Sequence, residues 1–400
     1  MKHLIGLTAL AAVLATGTAH AQTSVKIGVL SDMSSLYSDL AGPGSVAAAK
    51  LAIADFAAKN KDIKVELISG DHQNKADVGS NLANQWFDVD KVDMIIDVPN
   101  SGVALAVSQI AATKNKAFIA SGSGSSDLTG AKCNANTIHW TYDTWMLANG
   151  TGKSLVKTGG DTWFFLTADY AFSQALERDT GAAVEANGGK VLGKVRHPLN
   201  TNDFSSFLLQ AQASKAKIIG LANAGGDSIN AIKAGSEFGI AKGGQKFAGL
   251  LIFASDVKAL GLQTAQGLAL TETWYWDAND ANRAWTTRWQ QERQGKVPTM
   301  VHAGVYSGIT HYLKAVAELK SAADGKAVVA KMKAMPTDDP LFGKGSIRAD
   351  GRKLHDAYLF EVKAPADSKS PNDFYKLLAT IPAAEAFRPL KDGGCSLVNG

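Results

Sequence analysis

Between residues 94 and 129 the chain twice sets a short apolar run against a loop of small hydrogen-bonding residues, and no other stretch narrows the possible folds so far. Met94-Ile95-Ile96-Asp97-Val98 is followed by Pro99-Asn100-Ser101-Gly102, and Ala117-Phe118-Ile119-Ala120 by Ser121-Gly122-Ser123-Gly124-Ser125-Ser126-Asp127-Leu128-Thr129. Short unbroken apolar runs suit strands of a parallel sheet covered on both faces, and residues 102–116 between them have helical spacing. The stretch reads as a β-loop-α-β-loop-α unit, which places the chain in the α/β class.

In an open parallel sheet the loops leaving the carboxyl ends of the strands line the ligand crevice. Loops that lead into helix N-termini also offer free backbone N–H groups and a positive helix end, which suits an anion. Ser101, Ser123 and Ser125 add hydroxyls without bulk, so the two loops are read as half of a cradle for a small carboxylate. The competing reading makes them turns and N-caps. It explains one such loop more easily than two in consecutive units.

The chain opens with the basic Met1-Lys2-His3, continues in an apolar run over residues 4–15 and reaches Ala19-His20-Ala21. A basic start, an apolar core too short to span a bilayer and a small-x-small site describe a secretory signal, here residues 1–21, cleaved on export. No later stretch has the roughly 18 uninterrupted apolar residues of a membrane span. The length that remains suggests two domains. Formal charge is only +4, from 41 basic and 37 acidic residues, with no dense basic patch interleaved with aromatics, so nucleic-acid binding has no support. Two cysteines, Cys133 and Cys395, sit beside Gly or Asn in expected loops. In an oxidising compartment that suits a disulfide tying the C-terminal tail to the loop after the second cradle segment; the alternative is two unpaired small residues.

Taken in order, Val25-Lys26-Ile27-Gly28-Val29-Leu30 reads as a strand whose following loop carries Tyr37, at the same sheet edge as the serine loops. Lys64-Val65-Glu66-Leu67-Ile68 is a second strand, and His72 after it is expected to cap or lie on the surface rather than act in catalysis. The strand-helix rhythm pauses near residues 138–145 and restarts with Thr162-Trp163-Phe164-Phe165-Leu166, followed by a loop with Tyr170 and Phe172. Lys190-Val191-Leu192, Lys217-Ile218-Ile219-Gly220-Leu221-Ala222 and Phe247-Ala248-Gly249-Leu250-Leu251-Ile252 continue it as strands. An alternation that stops, restarts and is later revisited describes two α/β lobes. Residues 268–276 and 342–362 read as later passages between them.

These residues carry a resemblance. Val25-Lys26-Ile27-Gly28-Val29-Leu30-Ser31-Asp32 with Leu36-Tyr37, the loop ending Asp127-Leu128-Thr129, and Asp203-Phe204-Ser205 resemble the leucine/isoleucine/valine-type solute-binding proteins of ABC transporters. The loop 121–129, Cys133 and His139-Trp140-Thr141-Tyr142-Asp143 look more like the branch that serves aromatic acids. The resemblance implies two parallel-sheet lobes joined by three crossings and closing on a ligand by hinge motion. It assigns residues 22–141 and 275–347 to lobe I, and 142–274 and 348–400 to lobe II. It puts the first-lobe aromatic on Tyr37, the carboxylate-binding hydroxyl on Ser101 beside Asn100, the second donor loop on Ser123, Gly124 and Ser125, and the second-lobe aromatic on Phe172 with Tyr170 close by.

One departure stands out. Amino-acid binders of the family place a Glu after the strand equivalent to residues 247–251, where it pairs with the ligand ammonium, but this chain has Leu250-Leu251-Ile252-Phe253. An ammonium facing those side chains is desolvated without a partner, at a cost of several kcal/mol. Only a slipped alignment, with Asp256 in that role, restores the acid. The expectation is therefore a periplasmic binding protein, monomeric and without cofactor or metal, that delivers a small carboxylate lacking an α-amino group to a membrane permease and its ATPase. A binder of branched-chain amino acids or amides, and a ligand-reporting partner of a membrane sensor, are the alternatives. An exported hydrolase is not supported: there is no Gly-x-Ser-x-Gly elbow and no His-Glu-x-x-His motif, and His302 and His311 lack the i, i+4 spacing of a metal pair.

Overall fold

Alternation along the central strands explains why the first sheet sits between two layers of helices. In the computed structural model, which describes residues 23–398, β1 (Thr23–Ser31), β2 (Ile63–Asp71), β3 (Met94–Asp97), β4 (Ala117–Ala120) and β5 (Thr137–His139) form a parallel sheet ordered β2-β1-β3-β4-β5. The intervening helices are α1 (Gly42–Lys59), α2 (Ala76–Asp88) and α3 (Ser101–Thr113). β3 and β4 are buried at every position. Met94, Ile96 and Ile119 point into one core, while Ile95 and Phe118 point into another with Val103 and Val107 of α3, as the two-residue period of a strand requires. The signal-peptide reading falls on residues outside those described.

The rhythm restarts after a helical passage, α4 (Thr144–Leu147), a π-helical turn (Ala148–Gly152) and α5 (Lys153–Lys157). The second lobe then contains β6 (Thr162–Ala168), α6 (Ala171–Ala186), β7 (Lys190–His197), α7 (Ser205–Ala213), β8 (Ile218–Ala222), α8 (Gly226–Glu237), β9 (Lys246–Ala248), α9 (Ala254–Leu260) and α10 (Leu262–Ala265). Its sheet is parallel and ordered β7-β6-β8-β9. The apolar run that reads as one strand to Ile252 leaves the ladder at Ala248. A Cβ on Gly249 would lie 2.7 Å from Cγ1 of Ile252, so the glycine lets the chain fold back and carry Leu251 and Phe253 toward the cleft.

From there the chain runs through β10 (Ala269–Glu272), α11 (Asp280–Trp289), α12 (Met300–Leu319), α13 (Gly325–Ala334), β11 (Thr337–Asp339), β12 (Gly343–Ile347), β13 (Lys353–Leu354), β14 (Ala357–Val362), β15 (Tyr375–Ile381) and α14 (Ala383–Ala386). An antiparallel sheet β10-β14-β15 backs the second lobe, burying Leu270, Phe360 and Tyr375 with Leu221 and Ile252. α11 and α12 belong with the first lobe: Trp289 Nε1 donates to Gly44 O at 2.9 Å, Arg288 pairs with Asp55 at 2.6 Å, and His302 Nε2 donates to Ala41 O at 2.9 Å. The chain thus passes between the lobes three times.

The third passage grips the first with buried basic side chains. Arg352 Nη1 donates to Tyr142 O (3.3 Å) and faces Asp143 Oδ2 (3.5 Å), while His355 Nε2 donates to Thr141 O (2.8 Å). Lys353 Nζ lies over the rings of Trp140 (4.9 Å) and Phe342 (4.2 Å), and burial lowers its pKa to about 7. In the last part of the chain successive strands pair in different sheets. β13 pairs with β12 and Arg352 bridges to His139, whereas β14 and β15 serve the second lobe. The tail then returns to the first lobe, where Arg388 donates to Ser126 O at 3.0 Å and Cys395 is disulfide-bonded to Cys133.

Candidate functional site

The site begins where β3 ends. Asp97 (φ 89°) and Val98 (φ 55°) both have positive φ, a costly conformation for a β-branched residue and one that concentrates at functional sites. Val98 N donates to Leu30 O (2.9 Å) and Gly122 N to Asp97 O (3.1 Å), so the turn is held against both neighbouring strands and delivers Pro99 to the cleft. Asn100 Oδ1 accepts from Gly102 N (2.9 Å) and Val103 N (3.2 Å), capping α3. Ser101 Oγ accepts from Gly124 N (3.3 Å) and Ser125 N (3.1 Å), tying the two serine loops together. Its own proton has no acceptor among the described residues. Ser123 Oγ is buried without any hydrogen-bond partner, while its carbonyl accepts from His139 Nε2 at 2.8 Å. Ser125 Oγ accepts from Asp127 N (3.3 Å), capping the short turn Ser126–Thr129.

A small cavity lies between the lobes, lined by Tyr37, Leu40, Pro99 and Tyr142 on one side and Tyr170, Phe172, Ala224, Leu251 and Phe253 on the other. Tyr37 and Tyr170 meet across it, hydroxyl to hydroxyl, at 2.5 Å. Tyr37 is held from behind by Asp32, whose Oδ2 accepts from Tyr37 N (2.7 Å) and Asn74 Nδ2 (2.6 Å) while Oδ1 accepts from Ser35 N (2.9 Å). Tyr142 donates to Gly122 O (2.7 Å) and meets Phe253 edge-on at 6.1 Å. Burial raises the pKa of Tyr37, Tyr142 and Tyr170, so all three remain neutral phenols. A Cβ at position 124 would lie 2.6 Å from the Tyr142 ring and 2.8 Å from the Phe172 ring. Only glycine lets that loop back so closely against both rings.

No ionisable acid or base other than the tyrosines lines the cavity among the described residues. Second-lobe acids nearby are occupied elsewhere. Asp256 Oδ2 accepts from Phe253 N (2.9 Å) at the start of α9, and burial raises its pKa to about 7. Asp227 accepts from Asn200 N (3.1 Å) and Thr201 N (2.8 Å), with burial raising it to about 6. His72 is buried rather than on the surface, and its Nδ1 accepts from Asn74 N (3.0 Å) in the loop after β2. Among the described residues no group of His, Cys, Asp and Glu is placed to hold a metal, and no helix is long and apolar enough to cross a membrane.

Of the residues singled out from sequence, Tyr37, Tyr170 and Phe172 line the cavity and Gly124 packs behind its rings. Asn100, Ser101, Ser123 and Ser125 lie buried beneath it and do not line it. Tyr142 was not assigned a site role, although its place in the first passage between lobes is the signal that would have found it. Phe253 was read only as part of a greasy far wall, and Leu40, Pro99 and Ala224 carried no signal of their own.

Residues 24–369 match the family model described as periplasmic binding protein. Among similar solved structures, a periplasmic binding protein from Burkholderia mallei is 51% identical, with a TM-score of 0.91 over 94% of this chain and 99% of that one. A branched chain amino acid ABC transporter periplasmic ligand-binding protein from Burkholderia xenovorans LB400 is 38% identical, with a TM-score of 0.82 over 94% and 100%. A solute-binding protein of an ABC transporter from R. palustris, solved with 4-hydroxybenzoate, shares the fold at 21% identity, with a TM-score of 0.81 over 90% and 97%. A two-lobed α/β chain crossed three times, with a cavity between the lobes and these relatives, belongs to the periplasmic binding proteins of ABC transporters, of the Leu/Ile/Val-binding type.

Proposed function

We propose that this chain captures a small carboxylate without an α-amino group, an aromatic acid fitting best, and delivers it to an inner-membrane permease and its ATPase. The observation that carries the reading is the pairing of two surfaces. On one lobe the hydroxyls of Ser101 and Ser123, buried beneath the cavity rather than lining it, have protons that no described acceptor takes. On the other, Tyr170, Phe172, Leu251 and Phe253 present rings and an aliphatic wall with no carboxylate. An anion that reaches down to those hydroxyls gains two donors, and an aromatic ring packs against the opposite wall. An ammonium finds no ionic partner in the cavity and is left desolvated.

The R. palustris protein solved with 4-hydroxybenzoate supports this ligand class for the fold. The second reading, an aliphatic amino acid, is favoured by the B. xenovorans relative, described as a branched chain amino acid ligand-binding protein. Export through the signal of residues 1–21 and action as a monomer complete the proposal, with lobe I over residues 22–141 and 275–347 and lobe II over residues 142–274 and 348–400. Isothermal titration with benzoate, 4-hydroxybenzoate and leucine separates the two readings. Binding of either acid with no heat from leucine is the expected result; tight leucine binding with none from the acids overturns it.

A further inference from the structure

Directly behind the proposed anion loop lies a carboxyl group that capture of a carboxylate does not call for. Asp97 is fully buried at the end of β3. Its Oδ2 accepts from Ser31 Oγ at 2.7 Å, and that hydroxyl in turn accepts from Gly42 N at 2.9 Å, at the start of α1. Its Oδ1 has no hydrogen-bond partner. That oxygen is pressed against the Ser-Gly loop: a Cβ on Gly122 would lie 2.4 Å from it. The Gly122 carbonyl accepts from Tyr142, whose ring lines the cavity, and the next residue is Ser123. Asp97 therefore touches the back of the loop whose front is read as the anion cradle.

We propose that Asp97 is a positioning residue that couples anion capture to uptake of one proton, the ligand being held most tightly when this carboxyl is neutral. The inference rests on the carboxylate reading above. A second negative charge behind the loop opposes the first through a low-dielectric interior, and neutralising it removes the repulsion. The proton comes from solvent and has a place to sit, since Oδ1 is unpartnered while Oδ2 keeps the Ser31 bond. No cation faces the group to hold it ionised. Ser31 of β1, Ser45 of α1 and the Tyr142 phenol surround it. Asp32, the next ionisable group along from β1, turns its carboxylate to Ser35, Tyr37 and Asn74 instead. Burial raises the Asp97 pKa to about 7, so the group is poised between its two forms near neutrality, and an anion in front of it drives the pKa higher still.

The test is isothermal titration of the full mature chain with benzoate, which stays an anion throughout, between pH 6 and 9 in buffers of different ionisation enthalpy. Wild-type protein should take up close to one proton above neutrality, with affinity falling by up to about tenfold per pH unit. Asp97→Asn should bind with little pH dependence and no uptake. Benzoate binding without proton uptake by the wild type, or with the same uptake in the variant, overturns the coupling alone. No binding of benzoate or 4-hydroxybenzoate at any pH overturns the carboxylate reading and the coupling with it. Ligand-free melting supplies an independent arm. A raised acid pKa makes the folded chain lose stability as pH climbs from the ordinary aspartate range to about 7, so Asp97→Asn should raise Tm at pH 8.5 and not at pH 4. Equal effects at both values overturn the proposal.

Discussion

At the scale of single residues, the proposed anion cradle turns on small hydroxyls that do two things at once. Ser101 Oγ accepts two backbone N–H groups, which fixes the second loop and leaves its own proton to point elsewhere. Ser101→Ala should weaken carboxylate binding by about 1–3 kcal/mol, because both the donor and the loop's anchor are lost; titration calorimetry reads this directly. Ser123→Ala, which removes a hydroxyl with no protein partner, should weaken binding while leaving Tm nearly unchanged. On the opposite wall, Leu251→Glu places a carboxylate in a cavity that holds none and should cut benzoate affinity at least tenfold. Unaltered affinity in that variant would move the ligand away from this wall.

Elements set where those residues stand. β3 and β4 end at the cleft, and the turn through Asp97 and Val98 sets the entry to α3. The basic cluster of the third passage is the element whose chemistry sequence reading did not anticipate. Lys353 is fully buried, its Nζ without a hydrogen-bond partner between Trp140 and Phe342, and its pKa falls from the ordinary 10.5 to about 7. A lowered base pKa means that the folded chain binds the proton less tightly than the unfolded one. The resulting destabilisation is complete below about pH 7 and is relieved as pH rises toward 10.5. Lys353→Met, of similar length, should therefore raise Tm most at pH 6 and least at pH 10, as thermal melts across that range would reveal. A uniform fall in Tm would mean that the cation–aromatic contacts outweigh the cost of burying the charge.

For the whole molecule, the two lobes are joined by three passages, by the Tyr37–Tyr170 contact and by the return of the tail. Tyr170→Phe keeps the ring and removes the 2.5 Å hydroxyl contact; small-angle scattering should then show a larger radius of gyration for the ligand-free protein. The Cys133–Cys395 bond closes a sequence separation of 262 residues. In the chain-entropy picture so long a loop contributes roughly 5 kcal/mol, an upper value because native strain and residual unfolded structure reduce it. The double variant Cys133→Ser/Cys395→Ser should melt lower than the wild type by several degrees.

The α/β class, the two lobes and the cleft-edge loops were legible in the chain alone, because strand period, helix spacing and turn chemistry are local properties of neighbouring residues, whereas Tyr37, Tyr170 and Phe172 were singled out through the family resemblance. The same local signal overran at β9, where Gly249 folds an apolar run back on itself, and it cannot distinguish a serine that caps a turn, as Ser125 does, from one that ties two loops together, as Ser101 does. Only the tertiary structure decided that Tyr142 and Phe253 wall the cavity, that Asn100 caps α3, and that the segment around Arg352 belongs beside His139. A cavity is made where surfaces from residues more than a hundred positions apart meet, and that meeting is settled by the packing of whole lobes, which no window of sequence contains.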